Sequence, residues 1–461
     1  MLEFVTIRTL VILLVVFVIL LKKYGKLLII HPSIWFLSTW IMSTFSLLIF
    51  IVLDFDWIFF YNNLIIELLN YIAFTAICFL VIGLHYKKTN YRTIWSVRVP
   101  LSFFKLFSIV VFVLNVALLL NQGFDLASNR IEMLGNERLA YETGQLPIFK
   151  LLTNIITSFN KPLLIYSGYK ISYLFLNKKI LPGKSLYYFL PILSEIISTL
   201  SIGGRAGMIY MMVNLFFGIG IALSTKSKNL IFDKRKFIIS SLILASSFGV
   251  YSTTINILRA EFDNGTYESK FEGYKILETF SGIFQYMTDH YPGYQLRRTE
   301  SENEPKTYGE FTFSGITAIS IPFSSQIAGK PVSIQTIFGL NAVSRERDFS
   351  LKRASLGYLW PNTTTTIYLF LYRDFGYWGA FVAIFFLVLI TQRIFESFLR
   401  KRVKRYFISI VPLLLMYTFF SQTIFGSFIL SSWILGFIYF FGGLDILLTF
   451  FNRNSINKVK R

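Results

Sequence analysis

Long apolar segments, joined by loops that are basic at every second turn, leave this chain few folds to choose from. The segments run roughly over 4–21, 28–53, 63–84, 102–120, 149–176, 186–201, 206–224, 237–257, 364–390, 406–423 and 427–450. A bilayer core takes about 20 apolar residues per helix. Backbone polar groups there must bond within their own segment, which favours helices. One polar stretch, 258–362, interrupts the series. Over 461 residues the apolar content is 54% and the mean hydropathy +0.57, which excludes an ordinary soluble enzyme. The fold class expected is an all-α polytopic membrane protein with about 11 transmembrane helices and one large extracytoplasmic loop containing short helices. Three regions follow: a bundle of about eight helices over 1–257, the loop over 258–363, and a bundle of about three helices with a basic cytoplasmic tail over 364–461.

Charge gives the topology. Alternate loops carry Lys22, Lys23 and Lys26; Lys87, Lys88, Arg92 and Arg98; Lys178, Lys179 and Lys184; Lys226, Lys228, Lys234, Arg235 and Lys236; and Arg400, Lys401, Arg402, Lys404 and Arg405. The tail adds Arg453, Lys458, Lys460 and Arg461, whereas 54–62 holds Asp54 and Asp56 with no Lys or Arg. The positive-inside rule makes the first set cytoplasmic. The N-terminus then lies outside, the C-terminus inside, and the 258–362 loop outside. The net charge of +20 thus reports topology and contact with anionic lipids, and nucleic acid is not expected as a partner. The first segment runs into Lys22 and Lys23 without a small-residue cleavage site, so it reads as a retained helix. The weakest segments are 149–176, where Pro162 could kink a helix, and the short 186–201.

Four features carry candidate chemistry. Ser201-Ile202-Gly203-Gly204-Arg205-Ala206-Gly207 lies at an expected outer helix end. Its glycines allow close backbone approach, and Arg205 offers a forked donor to phosphate or carboxylate; a plain hairpin with an interfacial arginine is the alternative. Glu195 lies inside an apolar segment, where a carboxylate is expensive and normally paired. It could serve as a general base, hold an arginine, or pair structurally with Lys161 or Lys170. The outer loop supplies Arg259, Asp289-His290, Arg297-Arg298, and Arg345, Arg347 and Arg353. Arginines suit a pyrophosphate, and His290 could act as acid or base. Ion pairing with Glu261, Glu300, Glu302, Glu346 and Asp348 is the competing account for most of these arginines. Finally, Leu371-Tyr372-Arg373-Asp374-Phe375-Gly376-Tyr377-Trp378-Gly379 places an Arg-Asp pair and two glycines at the edge of an apolar segment. Arg373 and Asp374 could hold the outer loop against the bundle, and the helix could begin only near Tyr377.

Other chemistry lacks its residues. The sequence has no Walker A, Rossmann, His-Glu-x-x-His or Gly-x-Ser-x-Gly pattern. Cys78 is alone, and His31, His85 and His290 are scattered, so no metal or other cofactor is expected.

Gly203-Gly204-Arg205 at an outer helix end, the large outer loop, and Tyr372-Arg373-Asp374-Phe375-Gly376 with Gly379 together resemble the bacterial O-antigen polymerase family, also called oligosaccharide repeat-unit polymerases. The resemblance covers the whole architecture but is carried by short motifs. It implies a glycosyltransferase of the bacterial cytoplasmic membrane that polymerises lipid-linked repeat units on the outer face. The growing glycan would pass from undecaprenyl pyrophosphate to the sugar of a new lipid-linked repeat, without metal. Partners implied are undecaprenyl-pyrophosphate-linked oligosaccharide, membrane lipids and a chain-length regulator protein. Arg205, Arg259, Arg373 and Arg345 would bind the departing pyrophosphate. Glu195, His290 and Asp374 are rival candidates for the base that receives the acceptor proton. Two other readings remain open: a polysaccharide flippase or transporter, and an O-antigen ligase-like glycosyltransferase.

Overall fold

The computed structural model of this protein describes residues 1–25, 31–53, 62–85, 101–122, 156–157, 159–176, 183–202, 205–225, 287–288, 290–312, 328, 332–339 and 366–400. It is helical, and the described residues form no sheet. Five helices are long and apolar enough to cross a membrane: Leu2–Tyr24, Pro32–Val52, Asn63–Leu84, Leu101–Leu120 and Ile367–Arg393. These mark the chain as a membrane protein. The expected segments 237–257, 406–423 and 427–450 lie outside the described residues.

Contacts divide the chain into two units. The first contains α1 (Leu2–Tyr24), α2 (Pro32–Val52) and α3 (Asn62–Leu84). The second contains α4 (Leu101–Gln122), α5 (Asn160–Leu176), a 3-10 turn (Gly183–Phe189), α6 (Leu190–Ile202) and α7 (Arg205–Thr225). Later in the chain α8 (His290–Glu300), α9 (Ile334–Phe338) and α10 (Ile367–Arg400) return to the first unit.

In the first unit α1 and α3 run parallel. Arg8 Nη2 donates to Asn70 Oδ1 (2.6 Å) near one end, and Tyr24 Oη donates to the Gly83 carbonyl (3.2 Å) near the other. Thr6 and Thr9 return their hydroxyls to the carbonyls of Leu2 and Val5, so neither is left unsatisfied in an apolar helix. Val11, Leu14, Val15 and Val18 face outward, as lipid-facing residues do. His31 caps α2 by accepting from the Ser33 amide (3.1 Å), and Pro32 fills the first helical position, where its missing N–H costs nothing.

α10 is two helices. Gly376 has φ 74° and ψ −177°, a conformation costly for any residue with a Cβ. Before the break, the Tyr368 ring stacks on Tyr71 (5.8 Å) and its hydroxyl donates to Thr75 Oγ1 (3.0 Å). After it, the Tyr377 carbonyl accepts from Tyr71 Oη (3.1 Å) and Phe381 packs on the same ring (4.7 Å). Gln392 further on donates to Tyr24 Oη (3.1 Å). The chain therefore climbs along α3 from Thr75, reverses its course at Gly376 and descends past Tyr71 toward Tyr24. Of the two sequence alternatives for 364–390, the one with the crossing helix starting near Tyr377 matches this break. The residues before it form a short helix of their own.

In the second unit α5 and α7 touch backbone to backbone. A Cβ placed on Gly168 would lie 2.5 Å from the Leu215 carbonyl oxygen, and one on Gly218 would lie 2.7 Å from the Tyr169 amide nitrogen. Without a hydrophobic drive between helices in lipid, small residues at the crossing gain close van der Waals contact. Pro162 does not kink α5: the helix begins at Asn160, so the proline occupies its first turn. Phe104 of α4 packs on Tyr166 (5.1 Å) and Tyr188 (5.2 Å).

Candidate functional site

Charged side chains in the first unit gather where α8, the 301–312 segment and the first part of α10 meet the early turns of α3. Glu67 is the anchor, a carboxylate inside an apolar helix. Arg298 Nε and Nη2 donate to its two oxygens (3.0 and 3.4 Å), and Tyr294 Oη donates to Oε1 (2.6 Å). Burial first, and then the Glu67 charge, hold the Tyr294 phenol well above its usual pKa, so it stays a donor. Two-pronged pairing satisfies the carboxylate and fixes the plane of the guanidinium.

That plane lies over Tyr372, with Arg298 Cζ 3.6 Å from the ring centroid. Lys306 Nζ lies over the same ring at 4.2 Å. Arg373 donates Nη2 to Glu304 Oε2 (2.7 Å) and rests over Phe311 (3.7 Å). Arg298 and Arg373 are both buried, which strengthens each cation–π contact by removing competing water. The Lys306 ammonium nitrogen is buried and has no hydrogen-bond partner among the described residues. Burial, and then the Arg298 guanidinium, lower its pKa from the usual ammonium value. The arrangement is a cation held by π-faces and kept short of hydrogen-bond acceptors, as an anion site requires.

Asp374 organises the strand of chain that brings Lys306 in. Its carboxylate accepts from Thr307 Oγ1 (2.5 Å), the Phe311 amide (3.1 Å), the Thr312 amide (2.7 Å) and Thr312 Oγ1. Its carbonyl accepts from the Tyr308 amide (3.2 Å). Arg373 and Asp374 thus both grip 304–312. With four donors on two oxygens, the Asp374 carboxylate is occupied by the protein itself.

His290 lies elsewhere in this unit, fully buried at the start of α8. Its Nε2 is 2.8 Å from Ser43 Oγ, which also donates to Tyr291 Oη (3.1 Å), and its ring meets Trp40 edge-on (4.8 Å). Burial lowers its pKa to about 3, so the imidazole is neutral at physiological pH. Trp40 also packs on Tyr368 (5.8 Å), tying α8 and α10 to the middle of α2.

Glu195 belongs to the second unit. It is buried on α6, paired with Lys161 and accepting from Asn160 Nδ2 (2.6 Å), both at the start of α5. Beside it, Asn115 of α4 donates to Ser194 Oγ (2.7 Å). Arg205 heads α7, but its side chain lies outside the described residues, as do Gly203 and Gly204. Arg259 and Arg345 also lie outside them. Of the sequence candidates, Arg373 and Asp374 come together, His290 stands apart in the same unit, and Glu195 sits in the other. Sequence reasoning missed Glu67 and Lys306. Glu67 carried a legible signal, a lone acid inside an apolar segment, the same signal that singled out Glu195. Among the described residues no group of three metal-ligating side chains converges.

The class these features define is a helical membrane protein with a cation-rich site packed against a broken helix. No family model, curated protein or solved structure matches the chain.

Proposed function

We propose that this chain is an integral-membrane glycosyltransferase that joins lipid-linked oligosaccharide repeats at the outer face of the cytoplasmic membrane. The observation that carries the reading is Lys306, held over Tyr372 beside Arg298, with Arg373 of α10 bound to Glu304 of the Lys306 segment and no hydrogen-bond acceptor on the Lys306 ammonium among the described residues. A polyprenyl pyrophosphate supplies such acceptors, and its charge grows as the glycosidic bond to the carrier breaks. Cations already in place stabilise that charge without reorganising. In the step itself, an acceptor hydroxyl of the incoming repeat attacks the anomeric carbon. The bond from that carbon to the pyrophosphate oxygen breaks, the carrier pyrophosphate leaves, and the hydroxyl proton passes to a base. Within the first unit Arg345 remains a proposed contributor to pyrophosphate binding, and His290 and Asp374 remain rivals for the base; Arg205, Arg259 and Glu195 are candidates in the second unit, taken by itself. The positive-inside pattern of the loops supports an outer location for the site, with the N-terminus outside and the C-terminus cytoplasmic.

The buried Lys161–Glu195 pair favours a second reading, a polysaccharide flippase or transporter, since ionised pairs within apolar helices often line transport paths. A gel of surface glycan from a deletion strain separates the two. Wild type, but not Lys306→Met, should restore a ladder that deletion reduces to single repeats. Loss of the single-repeat species as well means export. An unchanged ladder after deletion refutes the proposal, and a ligase leaves full-length glycan untransferred.

A further inference from the structure

We propose that Tyr308 is a stacking platform for the sugar attached to the phosphate that Lys306 takes; the inference rests on the glycosyltransferase reading above. Tyr308 is the one non-glycine residue with positive φ among the described residues, at φ 51°. An L-residue in that region loses about 1–2 kcal/mol relative to right-handed backbone. Burial offers no compensation, because the side chain is 84% exposed.

The surrounding structure nevertheless over-determines this conformation. The Tyr308 amide donates to the Asp374 carbonyl, Gly309 follows at φ 110°, and the Asp374 carboxylate binds residues 307, 311 and 312 on either side. Strain held in place by neighbours around an exposed aromatic marks a functional position rather than a packing one.

What the turn presents is specific. Lys306, two residues earlier, passes its stem against Gly376, where an added Cβ would sit 3.6 Å from Lys306 Cε, and fixes its ammonium over Tyr372. Two residues of extended chain span at most about 7 Å. The turn that Asp374 holds therefore carries the cation and the exposed ring at neighbouring positions of one short segment. In that ligand the sugar is bonded directly to the phosphate through its anomeric oxygen. The C–H face of a pyranose is apolar and weakly positive, and it packs on the negative face of an aromatic ring. The ligand class is a glycosyl pyrophosphate on a lipid, bound phosphate on Lys306 and sugar on Tyr308.

The test uses the full-length chain in cells lacking their own copy, and the same protein purified in detergent. Tyr308→Asn removes the ring while tolerating the left-handed backbone, and Tyr308→Phe keeps the ring. Tyr308→Asn is expected to reach wild-type levels in the membrane, yet to cut polymer output about tenfold toward single repeats, with Tyr308→Phe retaining the ladder. Inorganic pyrophosphate should still raise the melting temperature of Tyr308→Asn and no longer raise that of Lys306→Met. A full ladder from Tyr308→Asn in a strain whose deletion abolishes polymer overturns the platform and leaves the glycosyltransferase reading standing. A ladder indifferent to deletion removes that reading, and the platform with it. Equal loss of membrane-inserted protein in Tyr308→Asn and Tyr308→Phe would make the residue an interfacial anchor and also overturn the platform.

Discussion

Replacing Asp374 by asparagine should loosen the 307–312 turn by an amount set by its hydrogen bonds. Oδ1 accepts from Thr307 Oγ1 and the Phe311 amide, and Oδ2 accepts from the Thr312 amide and hydroxyl. An asparagine has one oxygen and one NH2 group. Either threonine hydroxyl can rotate to accept from that NH2, but a backbone N–H cannot. Whichever way the amide turns, one of the two backbone donors loses its acceptor and faces another donor. A buried donor left unsatisfied costs about 1–3 kcal/mol, and the lost charge assistance adds to it. We take about 2–3 kcal/mol, which is about 30- to 150-fold at about 1.4 kcal/mol per factor of ten. Hydrogen exchange measured by mass spectrometry across 307–312 should therefore speed up by that factor in Asp374→Asn, with α1 and α3 unchanged. Because Asp374 also seats Lys306 and Tyr308, the proposed glycosyltransferase activity predicts that polymer output falls in parallel. Output lost with exchange across 307–312 unchanged would refute the clamp and make Asp374 the base instead.

Three further outcomes are expected. Gly218→Ala puts a methyl group into the backbone of α5, and the two helices must part by about an ångström. The cost should be about 1–3 kcal/mol, seen as a lower midpoint in detergent unfolding, while Ala222→Gly on the same helix should cost less. Breaking the buried pair with Glu195→Gln should destabilise by about 3–5 kcal/mol by taking the counter-charge away from Lys161, and adding Lys161→Met should recover most of it; a double variant as weak as the single would deny the pairing. His290, held neutral with a pKa of about 3 against 6.5 in the unfolded chain, binds no proton in the fold where the unfolded chain binds one. Stability should therefore fall as pH drops below 6.5, by about 2 kcal/mol at pH 5, and stop falling near pH 3. His290→Gln should flatten that slope in pH-dependent unfolding.

Much of the framework was legible in the residues. Apolar length alone located α1, α2, α3 and α4, because a membrane helix satisfies its backbone internally and its limits are set by local hydrophobicity. Pro162 could kink a helix or start one, and only the structure decided for a start, since that depends on where the first turn falls. The Tyr372–Gly379 motif showed that something unusual happens there, but not that Gly376 reverses the chain. That reversal rests on both halves of α10 packing against one side chain, Tyr71.

The site itself is a product of tertiary structure. Glu67 and Arg298 are 231 positions apart, and Asp374 reaches back 67 positions to Thr307. Periodicity is a local property and carries no record of such pairings. A buried carboxylate announces that it needs a partner, as Glu67 and Glu195 both do, because an unpaired charge in an apolar helix is too costly to keep. Which cation answers is decided by helix packing: Arg298 for Glu67, where α8 lies along α3, and Lys161 for Glu195, where α5 meets α6. The sequence by itself determined that this chain builds helices long and apolar enough to cross a membrane and must hide a few charges among them. Only the packing of those helices decided which charges meet, and left Lys306 over an aromatic ring with no hydrogen-bond acceptor among the described residues.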